Sequence, residues 1–177
     1  MKPQVAIQDF YPDDVAHCYG CGRLNPHGLH IRSSWDGDET IAVLTPREYH
    51  TAMPGYVYGG LIASLVDCHG TGSAALAAYR ACGRGPGSSP PLRFVTASLK
   101  VDYLRPTPMG IPLMARGRIK EVKPRKVVVD IEVIAGGEVC ARGNVVAVLM
   151  PEHMATDSSG QPSPLQGNPE AKTSGVR

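Results

Sequence analysis

The stretch His50–Arg80, HTAMPGYVYGGLIASLVDCHGTGSAALAAYR, constrains the chain more than any other. From Leu61 to Tyr79, Leu, Ile, Val, Ala and other small residues recur on nearly every side, over a length that suits one long helix. A helix apolar all round is normally buried rather than laid on a surface. The Gly59-Gly60 pair opens it, and one carboxylate, Asp67, sits inside it. Burying an unpaired carboxylate costs several kcal/mol, so such a group is rarely accidental. The rest of the chain is therefore expected to wrap this helix and to make a use for Asp67.

At 177 residues, with 42% hydrophobic and 19% charged residues, the chain suits one soluble domain with a proper core. A net charge of +2 without a block of basic residues argues against nucleic acid as a partner. No apolar run reaches the ~18 residues of a membrane span, so no membrane is expected. MKPQVAIQDF has no apolar core of a secretory signal. The odd count of five cysteines, at positions 18, 21, 68, 82 and 140, suits reduced thiols and a cytoplasmic protein.

Residues 1–16 read as an irregular lead-in, with a short helix near Pro12 to Ala16. In HCYGCGRLNPHGLHI, Cys18 and Cys21 form a CxxC with His17 and His27 nearby, half of what a zinc site needs. The matching second CxxC is absent, so the expectation is a tight Gly-rich turn with two packed thiols and no metal. Strands are expected over His30–Trp35 and Glu39–Thr45, joined at Asp36-Gly37-Asp38. Pro46 to Tyr58 reads as a loop turning at Pro54-Gly55. After the helix, CGRGPGSSPP is a flexible connector.

Four further strands are expected, over Arg93–Leu104, Leu113–Val122, Lys126–Ala135 and Glu138–Met150. Alternation is clear in VVVDIEVIA and VCARGNVVAVLM, and Gly136-Gly137 signals a hairpin. From about Pro151 there is little to bury. The division expected is 1–16, a folded domain over 17–152, and a disordered tail over 153–177. Two strands, one buried helix and four strands in hairpin succession make an α+β architecture with a sheet curled around the helix. One face of the helix would remain open, which invites a second copy.

That order, with Gly59-Gly60 at the helix start, Asp67 eight residues on, the strand LKVDYLRPTPMG and the opening CYGCGRLNPHGLHI, resembles the hotdog fold. Within it the chain looks like the acyl-CoA thioesterases of the PaaI/4-hydroxybenzoyl-CoA thioesterase-like superfamily. The resemblance implies a curved antiparallel sheet wrapped around one long central helix. It also implies a homodimer, often paired again into a tetramer, with sites at the subunit interface. By the same resemblance Asp67 attacks the thioester carbonyl or activates water, and the Gly59 amide of the other subunit polarises the carbonyl oxygen. Thr71 falls where related enzymes place a hydroxyl, and Thr96 near an assisting Ser or Thr. Two positions depart from the pattern. Tyr58 stands where the family usually has His, and Ala52 where many members have Asn or Gln, so either His50 or Tyr58 substitutes or the activity is altered.

The residues alone add a geometric requirement. Gly59 and Asp67 lie roughly 12 Å apart along a helix axis. A reacting carbonyl must approach its partners within about 3–3.5 Å, so both can serve one thioester only from different copies. Gly60, Ser64, Asp67 and Thr71 share one small, polar face, with room for a slim acyl chain. Tyr58, Gly60 and Ser64 are the expected substrate contacts, although Ser64 and Thr71 can equally bond back to helix carbonyls. Arg105, Arg125 and Lys126 are candidates for the phosphates of coenzyme A, or simply charged turns. No cofactor is expected beyond coenzyme A as part of the substrate. His69 and Cys68 read as core, and Asp102 as a solvated strand residue. The leading expectation is hydrolysis of an acyl-CoA. The alternatives are acyl-CoA binding without turnover and an enoyl-CoA hydratase or dehydratase using His50.

Overall fold

The structure, a computed structural model, describes residues 5–151 together with Met154. The helix expected from the sequence runs from Gly59 to Ala81 (α1). It begins directly after the extended residue Tyr58 (φ −61°, ψ 128°), and Gly83 in the left-handed region (φ 63°) turns the chain away at its end. By length and composition α1 could cross a membrane, but 78% of that apolar window is buried inside this fold.

Among the described residues, eight strands accompany the helix: β1 (Ser34–Asp36), β2 (Glu39–Leu44), β3 (Thr51–Met53), β4 (Tyr56–Val57), β5 (Phe94–Tyr103), β6 (Leu113–Lys123), β7 (Lys126–Ala135) and β8 (Glu138–Leu149). Six form one antiparallel sheet in the order β1-β2-β6-β7-β8-β5. Along β7 burial alternates strictly, so Val127, Val129, Ile131 and Val133 face the core. A period-two strand presents every second side chain to one face, which is why this strand was legible. Small residues let α1 settle close to the sheet. A Cβ on Gly70 would lie 2.6 Å from Val145, and one on Gly143 would lie 2.2 Å from Val66 Cγ1.

The sheet does not close around α1. Gly59, Gly60, Ala63, Ser64, Asp67 and Thr71 are only half-buried, and their spacing marks one stripe of the helix. Beside this stripe runs β5, an edge strand exposed from Thr96 to Lys100.

Several boundaries differ from expectation. The first strand starts at Ser34, because His30 adopts φ 51° and Ser33 is engaged by the N-terminal segment. The Ile7 N–H donates to the Ser33 carbonyl (2.9 Å), and the Ser33 N–H to Gln8 Oε1 (2.8 Å). The lead-in thus belongs to the core: it holds 3-10 turns at Ile7–Phe10 and Asp13–Val15 and buries Ile7, Tyr11 and Ala16. The loop expected over Pro46–Tyr58 contains the β3–β4 hairpin, turned at Pro54-Gly55 with Gly55 at φ 88°. The connector after α1 is tied down by Arg84, whose guanidinium donates to Ser88 Oγ (3.1 Å) and the Ser88 carbonyl (2.9 Å). The tail expected to be disordered, 153–177, lies outside the described residues apart from Met154.

Candidate active site

Asp67 lies on the open stripe of α1 and is half-buried, rather than enclosed as an all-apolar helix suggests. The carboxylate faces the side that the sheet leaves uncovered. Thr96, on edge strand β5, donates its hydroxyl to Asp67 Oδ1. Among the described residues no ion pair engages Asp67. The carboxylate is therefore held by a neutral donor and keeps its second oxygen for another partner.

The other two hydroxyls of the stripe turn inward. Ser64 Oγ donates to the Gly60 carbonyl at 2.9 Å. Thr71 Oγ1 donates to the carbonyls of Asp67 (3.3 Å) and Cys68 (3.2 Å). Both follow the back-bonding habit of hydroxyls within helices. The structure thus joins Thr96, and not Thr71, to the carboxylate.

At the helix start, the Tyr103 hydroxyl donates to the Gly59 carbonyl at 2.9 Å. Sequence reasoning missed this residue; its only signal was its place in the strand LKVDYLRPTPMG. The Tyr58 ring, 57% exposed, lies over Gly60, where a Cβ would sit 2.4 Å from it. His50 is half-buried beside it and accepts the Tyr58 N–H at its own carbonyl (2.8 Å). The Arg47 backbone N–H donates to His50 Nδ1 (3.1 Å), which places the ring proton of the neutral form on Nε2. Burial, and then the Arg47 charge, lower the His50 pKa and favour that neutral form. His50, Tyr58, Gly60 and Ser64 line a cleft of about 440 Å³, with Tyr19 and Leu29 on its far wall.

Comparison with known proteins gives the family of the chain. The profile of the thioesterase superfamily matches residues 54–142. The chain belongs to the thioesterase superfamily. A thioesterase superfamily protein from Shewanella loihica is 51% identical, its crystal structure aligning over 80% of this chain and 100% of its own with a TM-score of 0.61. PaaI from E. coli, of the phenylacetic acid degradation operon, is 22% identical with a TM-score of 0.53 over 70% of this chain and 81% of its own, a likeness of fold. The acyl-coenzyme A thioesterase THEM4 of Xenopus laevis is 28% identical over 93 residues, 52% of this chain. That match spans only 36% of the length of THEM4. The antiparallel sheet packed on one central helix is the hotdog fold.

Within this thioesterase-superfamily fold the three expected phosphate-binding cations do not form one cradle. β5 pairs Phe94 with Leu149 and Tyr103 with Ala141, and β7 pairs Lys126 with Val148. Arg125 and Lys126 therefore lie level with the Phe94 end of β5, whereas Arg105 follows its other end, roughly 30 Å away at the usual rise of a strand. Arg105 pairs with Glu138, and Lys126 with Glu121 at 2.6 Å. One subunit cannot bring all three to a single phosphate group.

His69 lies off the site, as expected. It is fully buried, with Nδ1 3.0 Å from Ser33 Oγ and Nε2 3.4 Å from Thr40 Oγ1, and burial lowers its pKa to about 4. Asp102 is exposed and pairs with Lys100 at 2.9 Å. Cys68 is core, and it also meets two sulfurs of the N-terminal loop.

Proposed function

We propose that this protein hydrolyses an acyl-CoA thioester to the free acid and CoA, working as a homodimer. The observation that carries the reading is Asp67: a half-buried carboxylate held by Thr96 on the one helix face that the sheet leaves open. Membership of the thioesterase superfamily supports the reaction class, and the likeness to an acyl-coenzyme A thioesterase supports the substrate class.

In this reading a second copy packs on the open stripe and edge strand, with the two helices antiparallel. The unpaired N–H at the start of one helix then lies near the middle of the other. The Gly59 N–H, aided by the partial positive charge of a helix N-terminus, stabilises the oxyanion. Asp67, oriented by Thr96, either takes a proton from the attacking water or attacks the carbonyl itself. The carbon–sulfur bond breaks, and the sulfur takes up the proton that Asp67 received from the water, so CoA leaves as the thiol; in the second route water then hydrolyses the acyl–Asp67 anhydride, which frees the acid and supplies that proton. Tyr58 and His50 shape the entrance at the tip of the helix. The cations are divided by strand length, so coenzyme phosphates meet Arg105 or the Arg125–Lys126 turn, not both from one subunit.

The experiment is a thiol-release screen over short, long and aromatic acyl-CoAs with the unaltered chain and Asp67→Asn. Loss of turnover by a factor of about 10²–10⁴, with CoA binding retained, is expected for removal of a general base. Unchanged hydrolysis in the variant removes Asp67 from the mechanism. Absorbance loss on an enoyl-CoA without thiol release would instead favour hydration through His50.

A further inference from the structure

Three sulfurs meet where the N-terminal loop crosses α1. Cys18 and Cys21 come from the loop, and Cys68 from the helix position directly after Asp67. Their Sγ atoms all lie within 4.8 Å of one another, with Cys18 and Cys68 3.8 Å apart. Cys21 and Cys68 are buried, and Cys18 is exposed.

The loop is shaped to hold them there. The Gly22 N–H donates to the Cys18 carbonyl at 2.7 Å, closing the turn. A Cβ on Gly22 would lie 2.4 Å from the Cys18 nitrogen and 2.6 Å from the Ala16 carbonyl oxygen. A Cβ on Gly20 would lie 2.2 Å from the Cys68 sulfur. Gly20 thus lets backbone approach the Cys68 sulfur more closely than any side chain permits, and Gly22 lets the turn close on its own backbone. A tetrahedral zinc ion with Zn–S near 2.3 Å separates its sulfurs by about 3.8 Å.

We propose that Cys18, Cys21 and Cys68 bind one zinc ion as three thiolates, with a solvent molecule in the fourth position on the exposed Cys18 side. The missing second CxxC was the reason to expect no metal from sequence. The helix supplies a third thiol that no local spacing announces. Binding releases three protons and leaves a centre of net charge −1.

The ion would bolt the loop to the helix that carries Asp67. Tyr19 lies between the two loop ligands and lines the cleft beside His50 and Tyr58, with Leu29 farther along the same segment. The ion would thereby fix one wall of the cleft. A disulfide between two of these sulfurs would strand the third and would require an oxidant; zinc binding requires none.

The test uses the full chain, purified without chelator from zinc-supplemented cells. Elemental analysis should find about one zinc per chain, falling to background in Cys18→Ser, Cys21→Ser and Cys68→Ser and unchanged in Cys82→Ser. Because Cys68→Ser alters the core, a second measurement uses the unaltered chain. Chelator-stripped protein titrated with cobalt(II) should develop a thiolate-to-cobalt charge-transfer band and the visible bands of tetrahedral cobalt, which zinc then bleaches. A chain that takes up neither metal overturns the proposal. So does stoichiometric copper in place of zinc, or mass spectrometry that finds Cys18 disulfide-bonded to Cys21 or Cys68. None of these readouts depends on thioester hydrolysis, so the two proposals stand or fall separately.

Discussion

The Thr96 hydroxyl donates to Asp67 Oδ1 across the seam between edge strand β5 and helix α1, joining residues 29 positions apart. The bond reaches the carboxylate from the side where the sheet ends, and leaves the helix axis and the open face free. Thr96 on this geometry positions Asp67. Replacing Thr96 with Val keeps the shape and removes the donor. A hydrogen bond to a charged group contributes about 1.5–3 kcal/mol, less at an exposed site, so kcat should fall about tenfold with little change in KM. Equal kcat in Thr96→Val and the unaltered chain would show that the bond has no part in catalysis.

Gly59 offers an unusually clean deletion. It is the first residue of α1, where proline is well tolerated, and Tyr58 before it already has the extended conformation that proline demands. A Cβ there meets the Tyr103 ring at an ordinary 3.5 Å. Gly59→Pro therefore removes one N–H without breaking the helix. Turnover should drop by about 10²–10³ with the melting temperature nearly unchanged. Mixing unfolded Gly59→Pro and Asp67→Asn chains and refolding them together should restore about a quarter of the activity. Half of the dimers are then mixed, and one of their two sites is intact. No recovery would place both groups in the same subunit's site, or in none.

His69 gives the fold a pH dependence of definite sign. Burial lowers its pKa from 6.5 to about 4. Between those values the unfolded chain binds a proton that the folded chain does not, so stability is full above pH 6.5 and is lost as pH falls toward 4. The slope approaches 1.4 kcal/mol per pH unit, or about 3 kcal/mol across the window. Urea midpoints measured from pH 7 to pH 5 should fall for the unaltered chain and stay flatter for His69→Gln. Parallel curves would mean that His69 is not the titrating group.

The approach of α1 to the sheet rests on glycine. At Gly143 an added Cβ would lie 2.2 Å from Cγ1 of Val66, a fully buried residue that cannot retreat. Gly143→Ala should destabilise the fold by about 1–3 kcal/mol, the usual range for overpacking. Gly85→Ala is the control, since its Cβ would meet nothing within 4 Å. Equal melting temperatures in the two variants would show that the helix can shift to make room.

Much of this fold was legible because its signals are local. The all-apolar run after Gly59-Gly60, the alternation of β7 and β8, and the Gly136-Gly137 hairpin each declare themselves within a short window. The misjudged pieces had tertiary causes. Nothing near His30 announces that Gln8 and Ile7 occupy the Ser33 backbone, and the same contacts make the lead-in part of the core. For Thr71 the sequence left two readings open, assistance to Asp67 or a bond back to the helix, and its hydroxyl makes the second.

By itself the sequence determined the order of elements, the identity of the central helix and the presence of a carboxylate on it, because periodicity and turn chemistry act over neighbouring residues. Only the tertiary structure decided which side chains meet: Thr96 with Asp67, Tyr103 with Gly59, Cys68 with Cys18 and Cys21, and Arg105 apart from Arg125 and Lys126. Those pairings depend on strand register and on where a curved sheet stops around a helix. Both are set by packing of the whole chain, and residue spacing along the chain carries no record of them.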